Sequence, residues 1–268
     1  MPVWKRYVAI GDSFTEGLSD ADPADPQRYR GWADRLAALL ADQAEDRFGY
    51  ANLAIRGRTL ADVVGPQLEA ALAMQPDLVS IVGGGNDLLR PRADVDALAA
   101  ELDAAVSRIR GSGADVLMFT PVDPRDAPVI KYTRARIAIY TAHIGSIARR
   151  HGAYVVDQWG MRALRDWRLW AEDRLHMTSE GHRRVALAAF TALGFTPADA
   201  DWAAPLPPAE PVPRAEALRG HVAWGREHLG PWVLRRLRGR STGDDLRAKR
   251  ATLAPLHEGD TERSDVSS

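Results

Sequence analysis

Short apolar runs alternate with longer stretches of helical periodicity through residues 1–195. Residues 7–10 form an apolar run closed by Gly11. Residues 32–44 are rich in Ala and Leu, with Leu36, Leu39 and Leu40 at helical spacing. Residues 50–55 read as a strand, ended by Gly57. Thr59 is placed to cap a helix over 60–74, with a kink or break expected at Gly65 and Pro66. Residues 78–82 are strongly apolar and run into Gly83, Gly84 and Gly85. A helix over 94–110 is stopped by Gly111 and Gly113. A strand at 116–119 is closed by Pro121, and a helix over 134–150 by Gly152. A last strand at 154–157 follows, and Ser179 is placed to cap a helix running to Leu193.

This is a strand–helix unit repeated about five times. The strands are short and apolar without inside–outside alternation, as in a parallel sheet covered on both faces. The expected fold is α/β, a three-layer α/β/α sandwich with a mostly parallel sheet and right-handed connections. Ligands of such sheets bind beyond the carboxyl ends of the strands, so the residues after each strand are where chemistry is to be sought. After Leu193 the texture changes, with Pro197, Pro205, Pro207, Pro208, Pro211 and Pro213 in a short Ala/Asp/Pro stretch. The expected organisation is a main domain over 1–195, a Pro-rich linker over 196–213, a helical C-terminal extension over 214–240 and a disordered polar tail over 241–268.

The chain has 268 residues, 46% hydrophobic and 26% charged, enough for a sizeable core. It has no cysteine, which excludes disulfides, Cys-ligated zinc and a thiol nucleophile. The formal net charge is −1, so global charge points to no polyanion, and no nucleic-acid partner is expected. The apolar run at 7–10 is too short for a signal-peptide core, and no segment reaches the roughly 20 apolar residues of a membrane span. A soluble, cytoplasmic protein is expected.

Four post-strand positions carry candidate chemistry. Gly11-Asp12-Ser13-Phe14-Thr15 puts a serine hydroxyl at the end of the first strand. Such a hydroxyl is a poor nucleophile until a neighbouring base takes its proton. Gly57 lets the backbone come close to a ligand and aim its N–H there. Gly83-Gly84-Gly85-Asn86-Asp87 makes a sharp loop whose Asn86 amide is able to donate to an oxyanion. Asp173-Arg174-Leu175-His176 places a carboxylate three residues before a histidine, so that one ring nitrogen is held while the other faces the serine. Each alone reads equally as a turn, a loop or a surface pair. Together they supply a nucleophile, donors, a base and its orienter, the parts acyl transfer needs.

These blocks resemble the GDSL-type esterases and lipases, the SGNH hydrolases. Gly11-Asp12-Ser13-Phe14-Thr15-Glu16-Gly17 is similar to their nucleophile block, and Asn52-Leu53-Ala54-Ile55-Arg56-Gly57 to their second block. Gly84-Gly85-Asn86-Asp87 is similar to the third, and Asp173-Arg174-Leu175-His176 to the last. The resemblance spans about residues 5–195. The Gly-x-Ser-x-Gly elbow of the other large esterase class is absent around Ser13. The resemblance implies a flavodoxin-like sandwich and a serine esterase acting on small to medium acyl esters. It implies catalytic Ser13, His176 and Asp173, and an oxyanion hole of the Ser13 and Gly57 N–H groups and the Asn86 amide. No metal or organic cofactor is implied. Alkyl ester, O-acetylated sugar, lysophospholipid and thioester remain open as substrates.

Other residues weigh less. Asp12 and Asp87 read as loop-stabilising, and His182 as a packing or capping histidine. His143, His151, His221, His228 and His257 show no ligand spacing. Trp159, Trp167 and Trp170 read as packing, or as an apolar wall for an acyl chain. Arg235, Arg236, Arg238, Arg240, Arg247, Lys249 and Arg250 form a basic stretch interrupted by Asp244 and Asp245. It reads as a solvated face, or as a weak membrane-surface contact with Trp224 and Trp232 supplying the apolar part. A non-catalytic binding protein and an interaction protein acting through that stretch are the readings of other classes.

Overall fold

The structure is a computed structural model that describes residues 3–22, 25–45, 47–209, 227, 243 and 246–256. In chain order its elements are β1 (Arg6–Ile10), α1 (Ser13–Glu16), the β2–β3 hairpin (Ala21–Asp22 and Asp25–Tyr29), α2 (Gly31–Ala41) and β4 (Gly49–Asn52). Helix α3 (Leu60–Asp62) passes through a π-helical turn (Val63–Gln67) into α4 (Leu68–Ala73). Then come β5 (Leu78–Ile81), α5 (Gly85–Leu88), α6 (Val95–Gly111), β6 (Asp115–Phe119), α7 (Arg134–His151), β7 (Tyr154–Val156), α8 (Ser179–Ala192) and β8 (Arg250–Pro255).

The main sheet has the order β7-β6-β5-β1-β4-β8. All its pairings are parallel except that of β8 with β4. β1 is central because its residues serve both faces. Tyr7 and Ala9 enter one core cluster with Trp32, Leu36 and Val185, while Val8 and Ile10 enter the other with Leu68, Val106 and Ile144. β6 divides in the same way, with Leu117 and Phe119 on one side and Val116 and Met118 on the other. Helices α2 and α8 therefore cover one face, and α3–α4, α6 and α7 the other. This is the expected three-layer α/β/α sandwich, in flavodoxin-like strand order. The chain goes from β1 outward to β4, then returns to β5 on the opposite side of β1. That reversal parts the loops above β1 and opens a crevice at the carboxyl ends of the strands.

Local signals explain most boundaries. Thr59 caps α3 with a capping box, its N–H donating to Asp62 Oδ2 at 2.8 Å. Pro66 lacks the N–H an α-helix needs, and the expected kink at Gly65 and Pro66 takes the form of the π-helical turn. The cap of α8 is Thr178, not Ser179. Thr178 has extended backbone and accepts from the Gly181 N–H, whereas the Ser179 hydroxyl accepts from Arg35 Nη2 at 2.8 Å.

Beyond Leu193, residues up to 209 lie along the domain. Trp202 and Leu206 pack against the first core cluster, and Arg168 Nη2 donates to the Pro207 carbonyl at 2.7 Å. The helical extension expected over 214–240 falls outside the described residues, apart from Glu227. The disorder expected over 241–268 is overturned at 250–255. There the chain forms β8, which covers the outer edge of β4, and Leu253 joins the second core cluster. Two members of the basic stretch also turn inward. Lys249 is bonded to backbone carbonyls, and the Arg250 guanidinium lies 5.6 Å from the Tyr50 ring centre. Among the described residues no helix is long and apolar enough to cross a membrane.

His182 is the polar joint between α8, α2 and the end of the α1 turn, as the packing reading expects. It is 1% exposed. The Trp32 N–H donates to its Nδ1 at 3.2 Å, and its Nε2 lies 3.3 Å from the Leu18 carbonyl. An Nδ1 that accepts requires a neutral ring with its proton on Nε2. Burial pushes this imidazole down to about 4, against the opposing pull of Asp20. The folded pKa lies below the unfolded one, so this contribution to stability is present above about pH 6.5 and lost as pH falls from there toward 4. Asp12 acts in the opposite sense, because burial lifts its carboxyl to about 6. His182→Asn is expected to be less stable than the parent at pH 7, and to lose less melting temperature between pH 7 and pH 5. Parallel melting curves for the two proteins across that interval would refute the assignment.

Candidate active site

The carboxyl end of β1 turns sharply at Gly11 and Asp12 and starts α1 at Ser13. Asp12 caps that short helix, its Oδ1 accepting from the Phe14 N–H at 3.1 Å. Gly11 is clamped by Gln67, which accepts from its N–H at 2.8 Å and donates to its carbonyl at 2.9 Å. The Gln67 side chain reaches Gly11 from the last residue of the π-helical turn. This ties the departure from α-helical geometry to the position of the serine.

His176 and Asp173 arrive from the segment between β7 and α8. Trp170 and Met177 bridge in antiparallel sense, and the Ala171 N–H donates to the His176 carbonyl at 2.8 Å, closing a narrow hairpin. Its tip turns through Arg174, a non-glycine residue at φ 55°. That left-handed conformation is strained, and the hairpin closure holds it. Asp173 Oδ1 accepts from the Leu175 and His176 N–H groups, both at 3.0 Å. Its Oδ2 lies 2.6 Å from His176 Nδ1. His176 Nε2 lies 3.1 Å from Ser13 Oγ. The structure thus brings Ser13, His176 and Asp173 into one chain of hydrogen bonds. Burial pushes the Asp173 carboxyl up, but the His176 contact and the two N–H groups outweigh it and leave it at about 2. It is therefore ionised across the ordinary pH range.

Two other loops border the serine. Gly57 follows β4 at φ 76°, a backbone conformation in which only glycine is unstrained. Asn86 lies in the first turn of α5, behind Gly84 at φ 92°. At Gly84 a side chain would also collide with the Tyr140 ring. The Asn86 Nδ2 donates to the Arg58 carbonyl at 3.0 Å and lies 3.4 Å from Asp12 Oδ2, so it stands between the serine turn and the Gly57 loop. Asp87 accepts from the Leu60 N–H at 2.9 Å, the loop-stabilising role expected for it. Asp12 is likewise bound into its own turn.

Several residues of the motif blocks, given no role by the sequence reading, hold this arrangement. The Glu16 carboxylate accepts from the Arg56 N–H at 2.7 Å and from the Arg56 guanidinium, tying the end of α1 to the Gly57 loop. Asn52, fully buried, donates to the Thr15 carbonyl at 2.9 Å. Of the tryptophans, Trp170 donates to the Leu164 carbonyl at 2.7 Å, and Trp167 lies under the Arg174 guanidinium at 5.6 Å. Trp159 lies under Arg134 at 5.4 Å.

Known proteins share both the sequence pattern and the fold. Residues 9–184 match the sequence model of the GDSL-like lipase/acylhydrolase family. Among solved structures, TesA is 25% identical with a TM-score of 0.57, covering 70% of this chain and 97% of its own. LAE5, an alpha/beta hydrolase enzyme from the metagenome of Lake Arreo, Spain, is 26% identical with a TM-score of 0.60, covering 71% and 95%. Axe2, an acetylxylan esterase from Geobacillus stearothermophilus, is 22% identical with a TM-score of 0.59, covering 73% and 97%. At that identity the last likeness concerns the fold alone. No curated protein matches the chain.

Proposed function

The chain belongs to the GDSL-like lipase/acylhydrolase family and is a carboxylic ester hydrolase, and we propose that it cleaves small to medium acyl esters through Ser13, His176 and Asp173. The observation that carries this reading is the 3.1 Å contact of Ser13 Oγ with a histidine whose other nitrogen is 2.6 Å from a carboxylate.

In this mechanism His176 Nε2 takes the hydroxyl proton as Ser13 Oγ attacks the ester carbonyl carbon. The carbonyl oxygen becomes an oxyanion, met by the N–H groups of Ser13 and Gly57 and by the Asn86 amide. The 3.4 Å separation of that amide from Asp12 is long for a hydrogen bond, so a stronger acceptor readily displaces it. Collapse breaks the ester C–O bond. The leaving alkoxide takes the proton from His176 and departs as an alcohol, with the acyl group on Ser13. Water then attacks this acyl-enzyme, giving its proton to His176. The second collapse returns that proton to Ser13 Oγ and releases the acid. Asp173 holds the ring by Nδ1 and stabilises the imidazolium in both halves.

Ser13→Ala is expected to lower kcat on p-nitrophenyl acetate by about 10⁴-fold or more while leaving the fold unchanged. A fluorophosphonate should label the peptide containing Ser13. Retained turnover, or label elsewhere on folded protein, would end the assignment. Asn86→Ala should lower kcat by on the order of 10²-fold with little change in KM. A change confined to KM would remove Asn86 from the oxyanion role. Asp173→Asn leaves a ring nitrogen facing an amide, and kcat at pH 7 should fall by about 10³–10⁴-fold. Acetyl, butyryl and octanoyl esters assayed side by side bound the acyl length.

A further inference from the structure

The described part of the C-terminus lies beyond residues 9–184, the span matched to the family, yet it touches the two loops that carry Ser13 and Gly57. Lys249 stands one residue before β8. Its side chain is 15% exposed. Its Nζ donates to the carbonyls of Glu16 at 2.6 Å, Tyr29 at 2.9 Å and Arg30 at 2.9 Å, and pairs with Asp34. An ammonium has three protons, so these contacts use its full donor capacity. Glu16 is the last residue of the helix that Ser13 begins, and its carbonyl is one that a helix end leaves without an internal partner. The Glu16 side chain in turn holds Arg56, the neighbour of Gly57.

Gly243 makes the second contact. A side chain there would run into the Arg56 carbonyl and the Ile55 side chain, so its backbone is pressed against the Gly57 loop. Its carbonyl lies 3.4 Å from Arg58 Nη2, and the carbonyl of Arg58 accepts from Asn86. Two independent contacts therefore reach the loops that supply the Ser13 and Gly57 donors, and the second of these loops holds the Asn86 amide through the Arg58 carbonyl.

We propose that this C-terminal segment is a strap, in which Lys249 and Gly243 are positioning residues that set the relative placement of Ser13, Gly57 and Asn86 for charge stabilisation. The proposal rests on the Ser13 mechanism above. The strap touches no reacting atom. It acts by holding the ends of α1 and the Gly57 loop at one spacing.

The test compares full-length variants on p-nitrophenyl acetate, with fold checked by circular dichroism. Lys249→Met alone leaves the half-buried Asp34 without the ammonium it pairs with and so loses stability as well. Asp34→Asn with Lys249→Met removes both charges. This double variant is expected to recover most of the lost melting temperature and still show a kcat lowered roughly tenfold or more, with KM within about twofold. Gly243→Ala keeps every ion pair and should lower kcat in the same way, by wedging the Arg56 carbonyl. Val155→Ala, on the opposite edge of the sheet, is expected to lose stability without a kcat change. A kcat within about twofold of the parent in both folded strap variants would overturn the proposal. Ser13→Ala assayed alongside separates the two ideas. If it is inactive while the strap variants are fully active, the strap alone falls. If it stays active, the mechanism falls and takes the strap with it.

Discussion

The hydrogen bond from the Ser13 hydroxyl to His176 joins residues 163 positions apart, and each end of it is fixed by a different part of the fold. The serine end is set by the central strand. β1 is buried on both faces, so the turn leaving it cannot drift, and Gln67 holds Gly11 by both its N–H and its carbonyl. The histidine end is set by a hairpin whose strained tip gathers Asp173 and His176 through backbone N–H contacts. A contact of about 3 Å is useful to catalysis only if neither side has slack, and the polar pairing on both sides removes it.

The loops around this contact are bound to one another more than to the core. Glu16 reaches Arg56, Asn52 reaches the Thr15 carbonyl, Asn86 reaches the Arg58 carbonyl, and Lys249 joins the Glu16 carbonyl at the end of α1 to the Tyr29 and Arg30 carbonyls before α2. Most of these groups are buried or half-buried, where an unpaired donor or acceptor is costly. Each pairing therefore fixes a loop position as well as satisfying a polar group. The switch point of the sheet makes room for this network, because it parts the loops after β1, β4 and β5 without separating them widely. A fold of this kind hosts many chemistries, and the reading of this crevice as the site of ester cleavage is carried by the arrangement of its side chains, not by the fold.

Much of the frame was legible from residue pattern. The apolar runs at 7–10, 78–82 and 116–119 became β1, β5 and β6 because a doubly covered parallel strand needs apolar side chains on both faces. Glycines and prolines marked the ends, and Gly65 with Pro66 marked the π-helical turn. The four motif blocks stood directly after strands or before the last helix, where the crevice forms. Local pattern misled where the controlling partner was distant. Ser179 looked like the cap of α8, yet Thr178 takes that place and Ser179 binds Arg35. Residues 250–255 lie in a polar tail by composition, yet they find the open edge of β4 and pair with it.

The sequence alone determined the alternation of strand and helix, the parallel sheet and the residue types that ester cleavage needs, because these follow from local periodicity and from short motifs. Tertiary structure alone decided which of those residues meet. The pairing of Glu16 with Arg56, the Gln67 clamp, the buried neutral His182 and the inward turn of Lys249 all depend on contacts between segments far apart in the chain. Each residue could equally have faced solvent, and only the packing of strands, loops and helices supplies the buried partner that settles its orientation and charge.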